Sequence, residues 1–213
     1  MGNLMIVNGS PRAPRSNSKR YIRLFEEFWG SPAEVYQVTA GRHQEACRKI
    51  SECRDLLLVF PLYVDGVPAV LMRLLFDLEG SFSANRPTVH VLVNCGFLEP
   101  EQNRTAVEII RLFCKQSRCP FGSVLCIGAG EAILDTPFVF LVKRKIQKMV
   151  RAIRSGSPVS LKVTMPLTKK GFLKASTAYW IRYGAQNGIH REQMATMEIE
   201  GQGGPPSPKR GGS

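Results

Sequence analysis

Short apolar runs alternate with helical patterns along most of this chain, and this alternation is what most restricts its fold. The run at residues 55–60 is apolar after its first residue, which is typical of a strand buried on both faces of a sheet. Residues with helical spacing follow each of five predicted strands, the other four being residues 4–7, 33–38, 88–94 and 123–127. Because a helix separates consecutive strands, the strands are expected to pair in parallel.

We therefore predict an α/β fold, a three-layer sandwich with a five-stranded parallel sheet and helices on both faces. Ligands bind such sheets at the carboxyl ends of the strands, where the strand order reverses. With the order 2-1-3-4-5, the reversal lies between the first and third strands, and the loops at residues 10–18, 61–68 and 94–100 meet there. These loops are the most distinctive of the sequence, so a ligand site is predicted at this edge.

The first of these loops has the composition of an anion-binding turn. Gly9 and Ser10 follow the strand, and Ser16, Asn17 and Ser18 stand where the N-cap of the next helix belongs. The unpaired N–H groups and the dipole of a helix N-terminus can hold a phosphate. The loop has neither the Walker A pattern nor the G-x-G-x-x-G pattern. An ordinary, well-capped turn is the alternative that these residues leave open.

Charge and hydropathy limit the classes of partner. The net charge of +12 favours anionic partners, but no recognised nucleic-acid-binding motif accompanies it, so no nucleic acid is predicted. The longest apolar run, residues 56–64, contains a proline and is too short to span a bilayer. The N-terminus lacks the pattern of a signal peptide, and a cytoplasmic protein is expected.

Cysteine and histidine spacing predicts no metal site. The six cysteines include no C-x-x-C pair, which argues against a zinc ribbon and a thioredoxin-like motif. The three histidines, His43, His90 and His190, are scattered, and His90 lies in a strand-like run where a packed side chain is expected. Whether any thiol is redox-active is left open.

The helix after the fifth strand has a strongly basic face. Its apolar face is formed by Val142, Ile146, Met149, Val150 and Ile153. The opposite face holds five cations, Lys143, Arg144, Lys148, Arg151 and Arg154. Two interpretations stay open here, a solvated outer face and contact with a membrane surface.

Together, the three loops resemble the NAD(P)H-dependent FMN reductase branch of the flavodoxin-like superfamily. Residues 8–12 and 16–18 resemble that family's FMN phosphate loop. Residues 61–68 resemble its P-L-Y-x-x-G-x-P segment along the isoalloxazine ring, and residues 94–97 resemble its third flavin loop. Three motifs in register are more specific than any one of them, and the resemblance extends over about residues 3–200.

The resemblance implies a flavodoxin-like fold and fifteen residues around FMN. Those implied at the phosphate are Ser10, Arg12, Ser16, Asn17 and Ser18. Those implied along the ring are Pro61, Leu62, Tyr63, Val64, Asp65, Gly66, Asn94, Cys95, Gly96 and Phe97. The sequence departs from the family at Val64 and Asp65, where an aromatic residue or glycine is common, and Asp65 adds negative charge. The Tyr–His pair of the quinone reductase branch is not found.

The implied function is an oxidoreductase that passes hydride from NADPH or NADH through FMN to a small-molecule acceptor such as a flavin or quinone. The flavin would carry the chemistry, so no catalytic side chain is predicted. One alternative is a flavodoxin-type electron carrier, but such carriers usually have acidic surfaces, unlike a chain of charge +12. The other is a binding module that kept the fold without the flavin. A homodimer, the commonest soluble oligomer, is expected.

Three regions are expected along the chain. Residues 1–163 form the FMN-binding domain, and residues 164–200 form a helical extension, with a helix and a turn expected over residues 174–193. This extension contains an aromatic cluster, Phe172, Tyr179, Trp180 and Tyr183, which is expected to pack either on the chain's own domain or on a partner subunit near the flavin edge. Residues 201–213 are rich in glycine and proline and are expected to be disordered.

Overall fold

The computed structural model describes residues 3–12, 16–41, 43–82 and 85–194. The chain divides into two compact units, Met1–Pro166 and Leu167–Ser213, and each is treated by itself. The tail at residues 201–213, predicted to be disordered, lies outside the described residues. In the part of the chain that is described, no helix is both long and apolar enough to cross a bilayer.

Strands and helices alternate through the first unit. Its strands are β1 Leu4–Asn8, β2 Glu34–Gln37, β3 Asp55–Pro61, β4 Thr88–Asn94, β5 Phe121–Ile127 and β6 Ser160–Val163. Its α-helices are α1 Asn17–Trp29, α2 Gln44–Glu52, α3 Ala69–Glu79, α4 Arg104–Gln116 and α5 Val139–Ser155. Short 3₁₀ turns at Pro100–Asn103 and Ile133–Asp135 precede α4 and α5.

The strands form one parallel sheet in the order β2-β1-β3-β4-β5-β6, which confirms the predicted order 2-1-3-4-5. The prediction of five strands was wrong by one, because β6 adds to the edge beside β5, with Val124 opposite Ser160 and Ile127 opposite Val163. This edge strand has four residues that alternate between exposed and buried, so it lacks the continuous apolar run that marks the central strands.

Two helical layers cover the central strands. Leu56, Leu58 and Phe60 of β3 belong to the core shared with α2, α3 and α4. Alternate residues of a strand face opposite sides, so Leu57 and Val59 face α1 and α5. All five side chains are fully buried, as expected of a strand covered on both faces.

Helix α1 begins and ends at residues suited to those places. The Ser16 hydroxyl accepts a hydrogen bond from the Lys19 N–H at 3.3 Å, the usual N-cap arrangement. Tyr21 and Phe25 are buried one turn apart, and Gly30 ends the helix with a φ of 61°. The helix is thereby anchored along its length, with its N-terminus at the carboxyl edge of the sheet.

The second unit contains α6 Lys169–Gln186 and the short helix α7 Arg191–Met194. The long helix begins before residue 174, where the predicted helix and turn start, and a turn at residues 187–188 follows it. Three of its aromatic rings, those of Tyr179, Trp180 and Tyr183, contact one another with centroids 5.3–6.1 Å apart. All three side chains are about half exposed in the described part of the chain.

A buried polar pair occupies the amino-terminal edge of the sheet. His90 Nε2 lies 3.2 Å from Asp55 Oδ1, and His90 Nδ1 accepts a hydrogen bond from the Ser123 N–H at 2.9 Å. Because Nδ1 is an acceptor, Nε2 carries the proton and donates to Asp55. The His90 ring thus accepts a hydrogen bond from the Ser123 N–H at the place where the register between β4 and β5 shifts. A Cβ on Gly122 would lie 2.3 Å from this ring, so only glycine fits there.

This pair also determines the charge state of Asp55. Burial raises the pKa of Asp55, but hydrogen bonds from His90 and Arg54 outweigh it and hold the pKa below its usual value. The expectation of a packed His90 is confirmed, since its side chain is 4% exposed.

Replacing His90 with leucine should lower the free energy of unfolding by about 3 kcal/mol, because it leaves the Ser123 N–H and one Asp55 oxygen unpaired in the interior. Denaturant unfolding followed by circular dichroism measures the change. His190→Leu is the matched control at an exposed position and should change the free energy by less than about 0.5 kcal/mol. Equal unfolding midpoints for His90→Leu and the parent would contradict this role.

Candidate functional site

Three loops enclose a cavity of about 240 Å³ at the carboxyl edge of the sheet, where the strand order reverses between β1 and β3. Nine of the fifteen predicted site residues line it, namely Ser10, Arg12, Ser16, Asn17, Ser18, Pro61, Leu62, Tyr63 and Asn94. Pro11 and Glu131, which were not predicted, complete the lining. The structure therefore brings residues from all three predicted loops to one place.

The other six predicted residues do not line this cavity. Val64, Asp65 and Gly66 form a turn beyond it, and Val64 is 92% exposed. The remaining three, Cys95, Gly96 and Phe97, follow Asn94 in the third loop. Only the Asn94 end of that loop contacts the cavity, so the structure separates a polar cavity from a more exposed apolar rim.

Hydrogen bonds from backbone N–H groups hold residues 9–12, the described start of the first loop, in place. The Ser10 N–H donates to Asn8 Oδ1 at 3.1 Å, and the Arg12 N–H donates to Ser10 Oγ at 3.3 Å. The Gly9 N–H donates to the Val59 carbonyl at 2.9 Å and so joins the loop to β3. These contacts leave the first turn of α1 facing the cavity.

The Ser18 hydroxyl is the most informative atom of the cavity. Ser18 is 1% exposed, and its Oγ has no hydrogen-bond partner among the described residues. A buried hydroxyl without a partner costs about 1–3 kcal/mol. Ser18 lines the cavity from the first turn of a 13-residue helix. An anion bound there would accept hydrogen bonds from the Ser18 hydroxyl and from the free backbone N–H groups of the helix N-terminus.

Two residues that the sequence did not single out support the site. Gln37, at the end of β2, donates from Nε2 to the carbonyls of Asn8 and Ser10, each at 3.1 Å. The Glu131 carbonyl accepts a hydrogen bond from Asn17 Nδ2 at 3.5 Å. Both contacts join residues distant in sequence, so spacing along the chain carries no signal for them.

An ion pair holds the loop after β5 against α1. Arg20 donates to both carboxylate oxygens of Asp135, at 3.0 and 2.5 Å, and to Asn17 Oδ1 at 3.2 Å. The hydrogen bond from Arg20 lowers the pKa of Asp135 below its usual value. Deeper in the fold, the Tyr21 hydroxyl donates to the Gly130 carbonyl at 2.8 Å. The loop after β5, which contributes Glu131 to the cavity lining, is therefore anchored to α1 at two points.

The second loop contains a strained turn. Tyr63 and Gly66 exchange two backbone hydrogen bonds of 3.0 Å, which closes a two-residue turn at Val64 and Asp65. Both turn residues have positive φ, 46° and 55°, a combination that favours Asn-Gly and disfavours a β-branched residue. Backbone strain of this kind costs about 1–3 kcal/mol and clusters at functional sites.

The third loop packs tightly against the loop after β5. The Gly130 N–H donates to the Cys95 carbonyl at 2.7 Å, and the Ala129 N–H donates to the Phe97 carbonyl at 2.5 Å. A Cβ on Gly130 would lie 2.8 Å from Asn94 Cβ, so this approach requires glycine. The packing fixes Asn94 at the cavity wall and leaves Phe97 half exposed.

A larger cavity, of about 570 Å³, lies between α2 and α3. His43 lines it with an unpartnered Nε2, while His43 Nδ1 lies 2.9 Å from the Tyr36 hydroxyl. Much of its lining consists of helix side chains, such as Arg48 and Glu52, which pair with each other at 2.8 Å. No described residue of the three predicted loops contributes to it. We therefore assign the candidate site to the smaller cavity.

Metal and thiol chemistry have no support in the described residues. Their His, Cys, Asp and Glu side chains include no group that could hold a metal ion. All six cysteines are buried and free, and burial raises the pKa of Cys53 and Cys114 to about 12. Such thiols are protonated at neutral pH and are poor nucleophiles.

Comparison with known proteins identifies the fold. No protein-family model matches the chain, and no curated protein matches its sequence significantly. Among solved structures, the Trp repressor binding protein from Bacillus subtilis matches at 13% identity and a TM-score of 0.56, over 69% of this chain and 97% of that protein.

Two further solved structures match the same part of the fold. The NAD(P)H:quinone oxidoreductase from Methanothermobacter marburgensis matches at 15% identity and a TM-score of 0.53, over 73% of this chain and 94% of that one. The Fusobacterium nucleatum flavodoxin bound to flavin mononucleotide matches at 16% identity and a TM-score of 0.54, over 73% and 99%. At these identities the likeness shows the fold alone, and it confirms the flavodoxin-like fold that the three loops implied.

Proposed function

We propose that this chain is an FMN-dependent oxidoreductase that takes hydride from NADPH or NADH and passes it to a small-molecule acceptor such as a flavin or quinone. The hydroxyl of Ser18, which has no partner among the described residues and lies in a polar cavity at the N-terminus of α1, carries the proposal. The resemblance of the three loops to the FMN reductase family supports it. Two structural neighbours, one named as an NAD(P)H:quinone oxidoreductase and one bound to flavin mononucleotide, are consistent with it.

The cavity residues fit a phosphate group. Ser10, Ser16 and Ser18 supply hydroxyls, Arg12 supplies a positive charge, and the first turn of α1 supplies free N–H groups. In our proposal, the flavin ring lies along residues 61–66 and 94–97. Bound FMN would supply the hydride chemistry, accepting hydride from the nicotinamide and releasing it to the acceptor.

The chain's own residues would bind the FMN, orient it and shield it from water. The contacts of Asn8, Gly9 and Ser10 hold the start of the phosphate loop in place before binding, which reduces the entropy that these residues lose on binding. The exposed side chains of Tyr63 and Phe97 would cover apolar ligand surface at the rim. No side chain of the cavity is needed as a nucleophile or as a base.

Ser18→Ala offers a sharp test of the phosphate site. Because Ser18 Oγ has no partner in the described residues, its removal should not destabilise the unliganded protein and should raise the free energy of unfolding by about 1–3 kcal/mol, the cost of burying that hydroxyl. Loss of a hydrogen bond to a charged phosphate costs about 1.5–3 kcal/mol, so the FMN dissociation constant should rise about 10- to 100-fold. Fluorescence titration of the apoprotein with FMN measures this.

Ser51→Ala is the matched control, because the Ser51 hydroxyl donates to the Cys47 carbonyl at 2.8 Å and lies outside the cavity. It should bind FMN like the parent. Equal FMN affinity of Ser18→Ala and the parent would exclude this placement of the phosphate, and a parent that binds no FMN would refute the flavin proposal altogether.

Reduction of the bound flavin distinguishes an enzyme from an electron carrier. We expect NADPH or NADH to bleach the flavin absorbance in a single two-electron phase, measured anaerobically by stopped flow. The net charge of +12 should speed the encounter with an anionic nucleotide, so added salt should slow the second-order rate. If dithionite reduces the flavin and neither nucleotide does, the chain is a carrier of the flavodoxin type.

A homodimer is part of the same proposal. Two exposed apolar side chains of the first unit, Phe76 on α3 and Leu112 on α4, are suited to an interface. Light scattering on the purified full chain gives the mass in solution.

A further inference from the structure

The net positive charge of this protein comes from one part of the chain. Twelve of the 29 Lys and Arg residues lie between Asp135 and Glu192, a stretch with no acidic residue. The other 17 are balanced by all 17 acidic residues of the protein. Residues 136–191 therefore carry the whole net charge of +12, and the rest of the chain is neutral.

In the first unit, this charge forms a continuous ridge on α5. Lys143, Arg144, Lys148 and Arg151 are exposed and recur at helical spacing on one face, which we call the α5 ridge. None of them takes part in an ion pair of the described residues. The apolar face of α5 is already buried in the core, so the ridge is the face left for a partner.

Arg154, by contrast, is a cation on this helix that contacts other side chains and backbone groups of the protein. Its guanidinium donates to the Trp29 carbonyl and lies over the Trp29 ring, 5.0 Å from the ring centroid. The ridge residues have no such contacts, apart from one 3.5 Å hydrogen bond from Arg151 to the Gln147 carbonyl of the same helix. At the start of the ridge, Phe140 is 58% exposed.

The second unit combines cations with exposed aromatic rings. Tyr179, Trp180 and Tyr183 lie within one turn of α6 and are 54%, 47% and 51% exposed. Lys170, Lys174 and Arg182 are exposed on the same helix, which has no acidic residue. Tyrosine and tryptophan rings with one apolar and one polar end favour the boundary between water and lipid.

We propose that the α5 ridge of the first unit binds the surface of an anionic lipid bilayer, and that the cations and aromatic rings of α6 give the second unit a separate contact with the same kind of surface. The α5 ridge contacts the headgroups by electrostatic attraction, and the three aromatic rings of α6 enter the interfacial layer. Lysine is depleted at protein interfaces, whereas runs of Lys and Arg without carboxylates suit anionic lipids, so a membrane fits this surface better than an acidic protein. The inference does not depend on the flavin or on the proposed reaction.

Vesicle co-sedimentation of the full chain tests the proposal. We expect binding to vesicles that contain about one third phosphatidylglycerol, no binding to pure phosphatidylcholine, and release at high salt. The triple variant Lys143→Gln, Arg144→Gln and Lys148→Gln should lower the partition coefficient about 100-fold, since each cation near an anionic surface contributes about fivefold.

A second triple variant controls for net charge. Arg73→Gln, Arg104→Gln and Lys115→Gln remove the same charge from exposed positions on α3 and α4. This variant should partition within about twofold of the parent. Equal loss in both variants would show a response to net charge alone and would overturn a specific surface. Binding to poly-glutamate but not to anionic vesicles would overturn the lipid proposal in favour of an acidic protein.

Trp180 reports whether the second unit takes part. The protein has two tryptophans, and Trp29 is buried in the first unit, so Trp180 is the one that lipid can reach. Lipids brominated in the acyl chains should quench the fluorescence of the bound parent and leave that of Trp180→Phe unchanged. Equal quenching of both, or quenching of neither, would overturn the role assigned to α6.

Discussion

The parallel pairing of β1 with both β2 and β3 is the constraint on which the rest of this structure depends. It makes β1 the strand at which the order of the sheet reverses. Helix α1, which follows β1, and helix α3, which follows β3, therefore pack on opposite faces of the sheet. The loops before these helices therefore separate and leave a cavity at the carboxyl edge. The Gly9 N–H, bonded to the Val59 carbonyl, maintains the pairing to the last residue before the loop.

A buried ion-pair cluster lies at the amino-terminal edge of the sheet, and the candidate site lies at the carboxyl edge. At the amino-terminal edge, His90, Asp55 and the Ser123 N–H form a closed set with Arg54, whose Nε lies 2.9 Å from Asp55. At the carboxyl edge, the Ser18 hydroxyl lacks a partner and several residues have positive φ. The Ser18 hydroxyl at the carboxyl edge is therefore a hydrogen-bonding group that a ligand in the cavity would use.

Much of the fold could be predicted from the sequence because the strands that form its centre are apolar throughout. The run that became β3 was predicted from its apolar residues, and parallel pairing from the alternation of strands and helices. The order 2-1-3-4-5 was taken from the flavodoxin-like fold that the loops resemble, and the structure confirms it. The edge strand β6 could not be found in this way, since it has only two buried residues. Nine site residues line one cavity because they lie in loops that the topology brings together, whereas Gln37 and Glu131 join them through contacts that sequence spacing does not encode.

The turn at Val64 and Asp65 has a consequence for anyone who engineers this protein. A sequence optimised only for a low-energy backbone would place asparagine and glycine there, because both positions require positive φ. Automated stabilisation would therefore select this turn among its first targets, although it borders the cavity through Tyr63. Substitution of Val64 and Asp65 would thus relieve backbone strain and alter the border of the candidate site at the same time. A thermostable redesign should therefore keep both residues.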